Sequence, residues 1–355
     1  MKTNSGGSCN ALYIMLLAVV ALLAQGCQKS AGPEPVVISS VDVVMQDINN
    51  DGDWYFVFNT AQQEFVDSFS LRPYTGLGQL SAEKDRMFVK QGDSIIVVDL
   101  ATSERVDAMF TVRLRPIWWP VISPNGETFA TSVIDSGLMI YDAHDLSRIA
   151  RIPSGVNGFR DFKYSYAGDR IYAIESAEKK LSVYRIGESV TMEYTFPVRN
   201  RPLWVAGSSN GTLAAALVRG QGAMHLEVYD LLEHSLIFDG AIDSSDGGMI
   251  QFSRDDRYIF ISNPGDKYDI YGSHGDYSLS VFDIDSNTLI KRINVRDGLL
   301  GLYHQSENGE LLIGMTLEPE DVRISIINLN SLSLEVVVIP PEFTFRPIRY
   351  LTGEL

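Results

Sequence analysis

A short apolar run closed by a polar residue recurs along this chain. It reads Tyr55-Phe-Val-Phe-Asn59, Ile95-Ile-Val-Val-Asp99, Leu138-Met-Ile-Tyr-Asp142, Leu181-Ser-Val-Tyr-Arg185, Leu226-Glu-Val-Tyr-Asp230, Leu279-Ser-Val-Phe-Asp283 and Ile324-Ser-Ile-Ile-Asn328. The closing residues lie 40, 43, 43, 45, 53 and 45 apart. A run of this length suits a β-strand, and Asp or Asn starts a turn by bonding the backbone ahead of it. A second apolar run follows each copy, for example Arg148–Ile152 and Leu289–Ile293. No long helical periodicity interrupts the series.

Another motif precedes the first. It begins at Ser81, Ser123, Ser165, Ser208, Ser253 and Ser306, and three copies carry an Asn-Gly pair, at Asn125-Gly126, Asn210-Gly211 and Asn308-Gly309. Asn-Gly between apolar runs predicts a tight hairpin in which both residues tolerate positive φ. Each unit is therefore strand A, tight turn, strand B, loop, strand C, turn, strand D. Four strands in about 43 residues is the period of a propeller blade.

The predicted fold is all-β: a seven-bladed β-propeller with four antiparallel strands per blade. The first unit has strands C and D at 54–69 but no serine turn before them. Phe345-Arg-Pro-Ile-Arg-Tyr-Leu351 follows the last strand D and matches the starts of other A strands, Arg115-Pro-Ile-Trp118 and Arg201-Pro-Leu-Trp204. The C-terminal segment is thus expected to supply strand A of the first blade, which removes an open sheet edge. Over residues 36–355 the pattern resembles the YVTN, WD40-like and lactonase-like propeller superfamily. The Gly-His and Trp-Asp pairs of true WD40 blades are absent, as are the tryptophan-docking motifs of quinoprotein propellers. The resemblance therefore specifies architecture rather than activity.

The N-terminal segment reads as an address. Leu12–Ala24 is apolar and uncharged with Lys2 before it, too short to span a bilayer and suited to a signal-peptide core. It ends in Leu23-Ala24-Gln25-Gly26-Cys27, which resembles a bacterial lipobox; Gln25 and Ala24 depart from the favoured residues. The expected division is 1–26 signal peptide, 27–35 lipidated Cys27 with a polar tether, and 36–355 propeller. Gln28 after the cysteine, by resemblance to enterobacterial sorting, implies the outer membrane, on its periplasmic or surface face. The body contains no cysteine, because Cys9 and Cys27 are the only two. Disulfides, thiolate metal sites and covalent haem are thereby excluded from it.

Charge narrows the partners. The net charge is −16, which argues against nucleic acid, since phosphate contacts need a basic surface. Yet nine of the twenty arginines gather in the D–A linkers and adjoining strand starts: Arg72, Arg113, Arg115, Arg160, Arg199, Arg201, Arg296, Arg346 and Arg349. In a four-strand meander, D–A and B–C loops share one face, so an acidic protein gathers positive charge at one mouth. Trp118 and Trp204 follow two of the Arg-Pro steps. The binding candidates are Arg72, Arg115, Trp118, Arg160, Arg201, Trp204, Arg296, Arg346 and Arg349, facing an anionic ligand or a protein partner. The alternative is structural, with the arginines pairing to neighbouring carboxylates. The long B–C loop of the sixth unit, Asn263–Tyr277, belongs to the same face.

Catalytic signatures are missing: there is no Gly-x-Ser-x-Gly, His-Glu-x-x-His or phosphate loop. His304, on the last A strand, is the weak catalytic candidate. Asp47, Asn49, Asp51 and Asp53, with Gly52 at the sixth position, resemble the start of a calcium loop. Tyr55 and Phe58 replace the later ligands, so weak or no calcium binding is expected, and no cofactor is predicted. The sequence favours a noncatalytic lipoprotein that binds a protein partner or small anion through its D–A/B–C face. A lactonase-like or other hydrolytic enzyme with its site at the channel mouth is the alternative.

Overall fold

The computed structural model describes residues 40, 42–47, 54–71, 77–110, 120–133, 136–154, 158–221, 223–242, 248–263, 278–295, 299–306, 309–317, 322–338 and 348–354. Seven antiparallel sheets of four strands each make up the described fold. The first contains β1 (Asp42–Asp47), β2 (Trp54–Asn59) and β3 (Glu64–Ser70). The second contains β4 (Leu77–Leu80), β5 (Arg86–Gln91), β6 (Ser94–Asp99) and β7 (Arg105–Phe110), and the third β8 (Val121–Ile122), β9 (Thr128–Val133), β10 (Gly137–Asp142) and β11 (Arg148–Ile152). The fourth has β12 (Asp161–Tyr164), β13 (Arg170–Glu175), β14 (Lys180–Arg185) and β15 (Thr191–Pro197), and the fifth β16 (Arg201–Gly207), β17 (Leu213–Arg219), β18 (Met224–Asp230) and β19 (Ser235–Ile242). The sixth has β20 (Ile250–Phe252), β21 (Tyr258–Asn263), β22 (Ser278–Asp283) and β23 (Thr288–Asn294), and the seventh β24 (Leu299–Gln305), β25 (Leu311–Leu317), β26 (Val322–Asn328) and β27 (Ser333–Val338). Finally β28 (Ile348–Glu354) returns to pair with β1, so the first sheet reads β28-β1-β2-β3.

All seven C strands end on the closing residue of the sequence repeat, from Asn59 to Asn328. Six of those residues are Asp or Asn. Their side-chain oxygens accept backbone N–H groups two or three residues on: Asn59 from Gln62 at 2.8 Å, Asp99 from Thr102 at 2.8 Å, Asp142 from His144 at 2.7 Å. Asp230 accepts from Leu232 at 2.8 Å, Asp283 from Ser286 at 2.9 Å and Asn328 from Ser331 at 3.0 Å. The residue four positions past each of them, Gln63, Ser103, Leu146, His234, Asn287 and Leu332, sits at φ 51–58°. One geometry is therefore built six times from one side-chain bond. The exception proves the cause: Arg185 has no such acceptor, Ser189 is not left-handed, and Arg185 instead pairs with Glu193 on β15.

The serine turns are equally regular. In all six the hydroxyl accepts the N–H of the residue five ahead: Arg86 (3.1 Å), Thr128 (2.9 Å), Arg170 (3.1 Å), Leu213 (2.8 Å), Tyr258 (2.8 Å) and Leu311 (2.9 Å). One detail departs from the sequence expectation. Only the glycine of Asn-Gly is left-handed, at Gly126 (φ 75°) and Gly211 (φ 71°), while Asn125 and Asn210 stay at negative φ. The loop is longer than a two-residue turn, and its single left-handed site is filled without glycine by Lys84 (φ 61°) and Asp256 (φ 57°) elsewhere.

Consecutive sheets pack face to face, and each inner strand is buried on both sides. On β17, Ala214, Ala216 and Val218 meet Tyr172, Ile174 and Val183 of the fourth sheet, whereas Ala215 and Leu217 meet Ile250, Ile259 and Ile261 of the sixth. Burial on both faces explains why B and C strands read as unbroken apolar runs instead of alternating. Gly207 shows how close the sheets come, because a Cβ there would lie 2.0 Å from the Tyr172 ring. The D strands are outermost: Val66, Val106, Ile149, Met192, Ile237 and Ile290 are all exposed on them.

The A strands touch in chain order: β28 with β4, β4 with β8, β8 with β12, β12 with β16, and β16 with β20. Strand β24 touches both β21 and β28. At the end carrying the A–B turns, Tyr166 reaches across from the fourth sheet. Its hydroxyl donates to the Phe252 carbonyl at 2.9 Å, lies 2.8 Å from the Gln305 side chain, and its ring lies 5.5 Å from the Arg254 guanidinium. The expected strand starts at Arg115–Trp118 and Phe345–Pro347 lie outside the described residues; among these, the third A strand is Val121–Ile122 and the C-terminal strand Ile348–Glu354.

Candidate functional site

A cavity of about 800 Å³ opens where the D–A linkers and B–C loops meet at the fourth and fifth sheets. Four segments line it: Gly158 and Arg160 before β12; Ser176, Ala177 and Lys179 between β13 and β14; Asn200 and Arg201 at the start of β16; and Arg219, Gly220 and Gln221 after β17. Among the described lining residues, Arg160, Lys179, Arg201 and Arg219 are cations and none is acidic.

The local backbone explains this convergence. Asn200 takes a left-handed φ of 53°, which Asn tolerates better than most residues, and so reverses the chain from β15 into β16. Lys179 does the same at φ 52° in the loop ahead of β14. The walls are braced. Ser176 donates its hydroxyl to the Pro202 carbonyl at 2.6 Å, and the Val198 amide donates to the Lys179 carbonyl at 2.8 Å. Asp161, next to Arg160, is buried on β12 and accepts the Val205 amide of β16 at 2.9 Å. Burial raises its pKa against the opposing pull of Lys163 and that amide. Its other carboxyl oxygen has no hydrogen-bond partner among the described residues. This carboxylate holds together the two strands whose N-terminal ends carry Arg160 and Arg201.

Beside the cavity lies a polar cluster on the fifth sheet. Glu227 is fully buried; it accepts the Tyr229 hydroxyl and, at 3.2 Å, the Arg199 amide. Burial pushes its pKa up, the phenol working against this. The Arg199 guanidinium pairs with Asp239, whose carboxylate also lies 3.5 Å from His225 Nδ1. Arg199 therefore behaves as the structural alternative foresaw. Arg201 differs: it is exposed and has no carboxylate within ion-pair distance among the described residues.

Of the sequence candidates, the structure brings Arg160 and Arg201 into one cavity. Trp204 is half-buried and packs against the core between the fifth and sixth sheets instead of lining that cavity. Arg72, Arg115, Trp118, Arg296 and Arg346 lie outside the described residues, as do Cys27, Asn49, Asp51, Asp53 and the loop 264–277. Arg349 is on β28, His304 on β24, and Asp47 ends β1. Lys179, Arg219, Ser176, Asn200 and Gln221 were missed. The rule that B–C loops share the face of the D–A linkers would have found the first two, had it been applied to cations in both kinds of loop.

No family model matches the sequence, and no curated protein does. Solved structures share its fold. A Bacteroides fragilis protein described as a "putative 6-phosphogluconolactonase" is 14% identical, with a TM-score of 0.63 over 90% of this chain and 98% of that one. A protein from Lactobacillus plantarum is 12% identical, with a TM-score of 0.63 over 89% of this chain and 99% of that one. Kuenenia stuttgartiensis hydrazine synthase is 16% identical, with a TM-score of 0.57 over 71% of this chain and 76% of that one. At such identities the likeness establishes the fold: the chain has a β-propeller-like, all-β architecture.

Proposed function

We propose that the chain is a lactonase-like β-propeller, its seven sheets closed into a ring of blades, that takes a small anionic ligand in the cavity at the fourth and fifth sheets. The lining carries this reading: among the described residues it has four cations and no carboxylate, in a chain of net charge −16. The volume suits a small molecule. Charge-assisted bonds from guanidinium forks favour carboxylates and phosphates.

Closure as a ring is supported by the return of β28 to the first sheet and by the contacts of β24 with β28. It is supported too by Tyr166, which meets residues of the sixth and seventh sheets from the fourth. The lactonase-like reading draws on the likeness to the Bacteroides fragilis protein, which spans nearly all of that chain. The noncatalytic role favoured by the sequence draws nothing from these neighbours and becomes an outcome of the test.

The test offers the purified body 6-phosphogluconolactone and follows acid release. Hydrolysis faster than the spontaneous rate, slowed by Lys179→Gln, supports an enzyme. Spontaneous-rate hydrolysis with the product still bound makes it a binding protein. Neither binding nor turnover removes this ligand class. We also propose that Cys27 carries lipid and holds the chain at the cell envelope. A Cys27→Ala variant recovered wholly from the membrane fraction would contradict that.

A further inference from the structure

A histidine ring stands against the cavity wall at Gly220. A Cβ on Gly220 would lie 2.7 Å from His225 Cδ2 and 2.9 Å from its Nε2, so a side chain there would displace the ring. Gly220 itself lines the cavity. His225 on β18 pairs with Val218 on β17, and Val218 packs toward the fourth sheet. Directly paired residues share a face, so His225 lies on the side of the sheet that meets the cavity. Its side chain is 35% exposed. The two ring nitrogens differ. Nδ1 lies 3.5 Å from one carboxylate oxygen of Asp239, whose other oxygen is held by the Arg199 guanidinium. Nε2 has no hydrogen-bond partner among the described residues. Glu227, two residues on, is taken up by the Tyr229 hydroxyl and the Arg199 amide, which leaves Asp239 as the carboxylate beside His225.

We propose that His225 is the general base of the cavity and that Asp239 positions it. This rests on the lactonase-like reading above and adds which residues move the proton. A carboxylate beside Nδ1 favours the neutral tautomer with its proton on Nδ1, which leaves the lone pair on Nε2, at the cavity wall. Nε2 takes a proton from a water molecule as the water oxygen bonds to the lactone carbonyl carbon. The ring C–O bond then breaks, and the same proton passes to the leaving oxygen. The product is the open-chain hydroxy acid, which sheds its carboxyl proton to solvent. Lactone and water are the reactants consumed. Arg199 holds Asp239 from the linker that also carries Asn200 and Arg201 into the lining, so the dyad and the anion site are tied by one segment.

The experiment measures kcat and KM for 6-phosphogluconolactone on the purified full chain, corrected for spontaneous hydrolysis, with calorimetric binding of 6-phosphogluconate beside it. His225→Gln should lower kcat by about a hundredfold or more, with KM and product affinity unchanged. Imidazole added to His225→Ala should restore part of the lost rate, which a ring that only supports the fold would not allow. Asp239→Asn should lower kcat about tenfold or more. The double variant should be no slower than His225→Gln alone, because Asp239 acts through the ring. Wild-type turnover that His225→Gln leaves intact overturns the dyad; if Lys179→Gln slows it, the lactonase-like reading stands. A loss in His225→Gln that comes with lost product binding and no imidazole rescue makes the ring structural and also overturns the dyad. Hydrolysis by wild type at the spontaneous rate removes both readings.

Discussion

The two ends of the sheets are built differently. The end with the A–B and C–D turns is a repeated lattice of local bonds: six serine hydroxyls each accept an amide five residues ahead, and six Asp or Asn side chains each cap the turn that follows. At the end with the D–A linkers and B–C loops, the described residues show no such repeated series. Its loops differ in length, and it gathers cations around a cavity. Turns that satisfy themselves locally set the fold and leave no groups for a ligand. Irregular loops on that rigid frame supply them.

Substitutions can break or sharpen this contrast. The largest effect should come from replacing both Arg160 and Lys179 with Gln. Anion affinity should fall by about a hundredfold, since two charge-assisted contacts are lost, while the thermal midpoint stays near wild type if the two groups serve the anion rather than the fold. A large drop in midpoint would make these cations structural. At the opposite end, Ser123→Ala removes a buried hydroxyl that accepts the Thr128 amide at 2.9 Å and donates to its carbonyl at 2.8 Å. It should cost about 2 kcal/mol, seen in chemical denaturation, and leave anion affinity unchanged. A matching loss of affinity would couple the two ends. Tyr166→Phe removes the bond to the Phe252 carbonyl and should cost about 1 kcal/mol, also without touching affinity.

The smallest effect is on pH dependence. Asp99 and Asp283 are held below the ordinary carboxylate range, chiefly by the Thr102 and Ser286 amides they accept. A lowered native pKa means the stability they add is present at neutral pH. It is lost as pH falls from about 4 through the native value. Asp283→Asn keeps the acceptor, as Asn59 and Asn328 show, and loses the charge. Its acid unfolding should begin at lower pH than that of wild type; an unchanged acid midpoint would mean this turn does not sense protonation.

Much of the fold was legible because its signals are short. The seven C strands end where the repeat predicted, and Arg148–Ile152 is a D strand with those very bounds. The Asn-Gly turns were misjudged in detail because the pair was read as a two-residue loop, whereas the serine draws in a longer one with one left-handed site. Trp204 follows an Arg-Pro step, which placed it among the binding candidates, yet on β16 it packs toward the sixth sheet. Arg199 and Arg201 sit two residues apart in one linker and look alike in sequence. Only the presence of Asp239 beside Arg199 separates an ion pair from an open guanidinium.

The sequence by itself determined the period, the strand and turn order and the all-β class. Each of these is encoded in windows of a few residues, where a serine, an Asx side chain or an apolar run acts on its own neighbourhood. Only the tertiary structure decided that Arg160, Lys179, Arg201 and Arg219 meet at one cavity, and that Arg201 and Arg219 stand in register. They come from four separate loops and strand ends, and nothing in any one segment specifies the other three. Their meeting follows from how the fourth and fifth sheets pack through Tyr172, Ile174, Val205 and Val218.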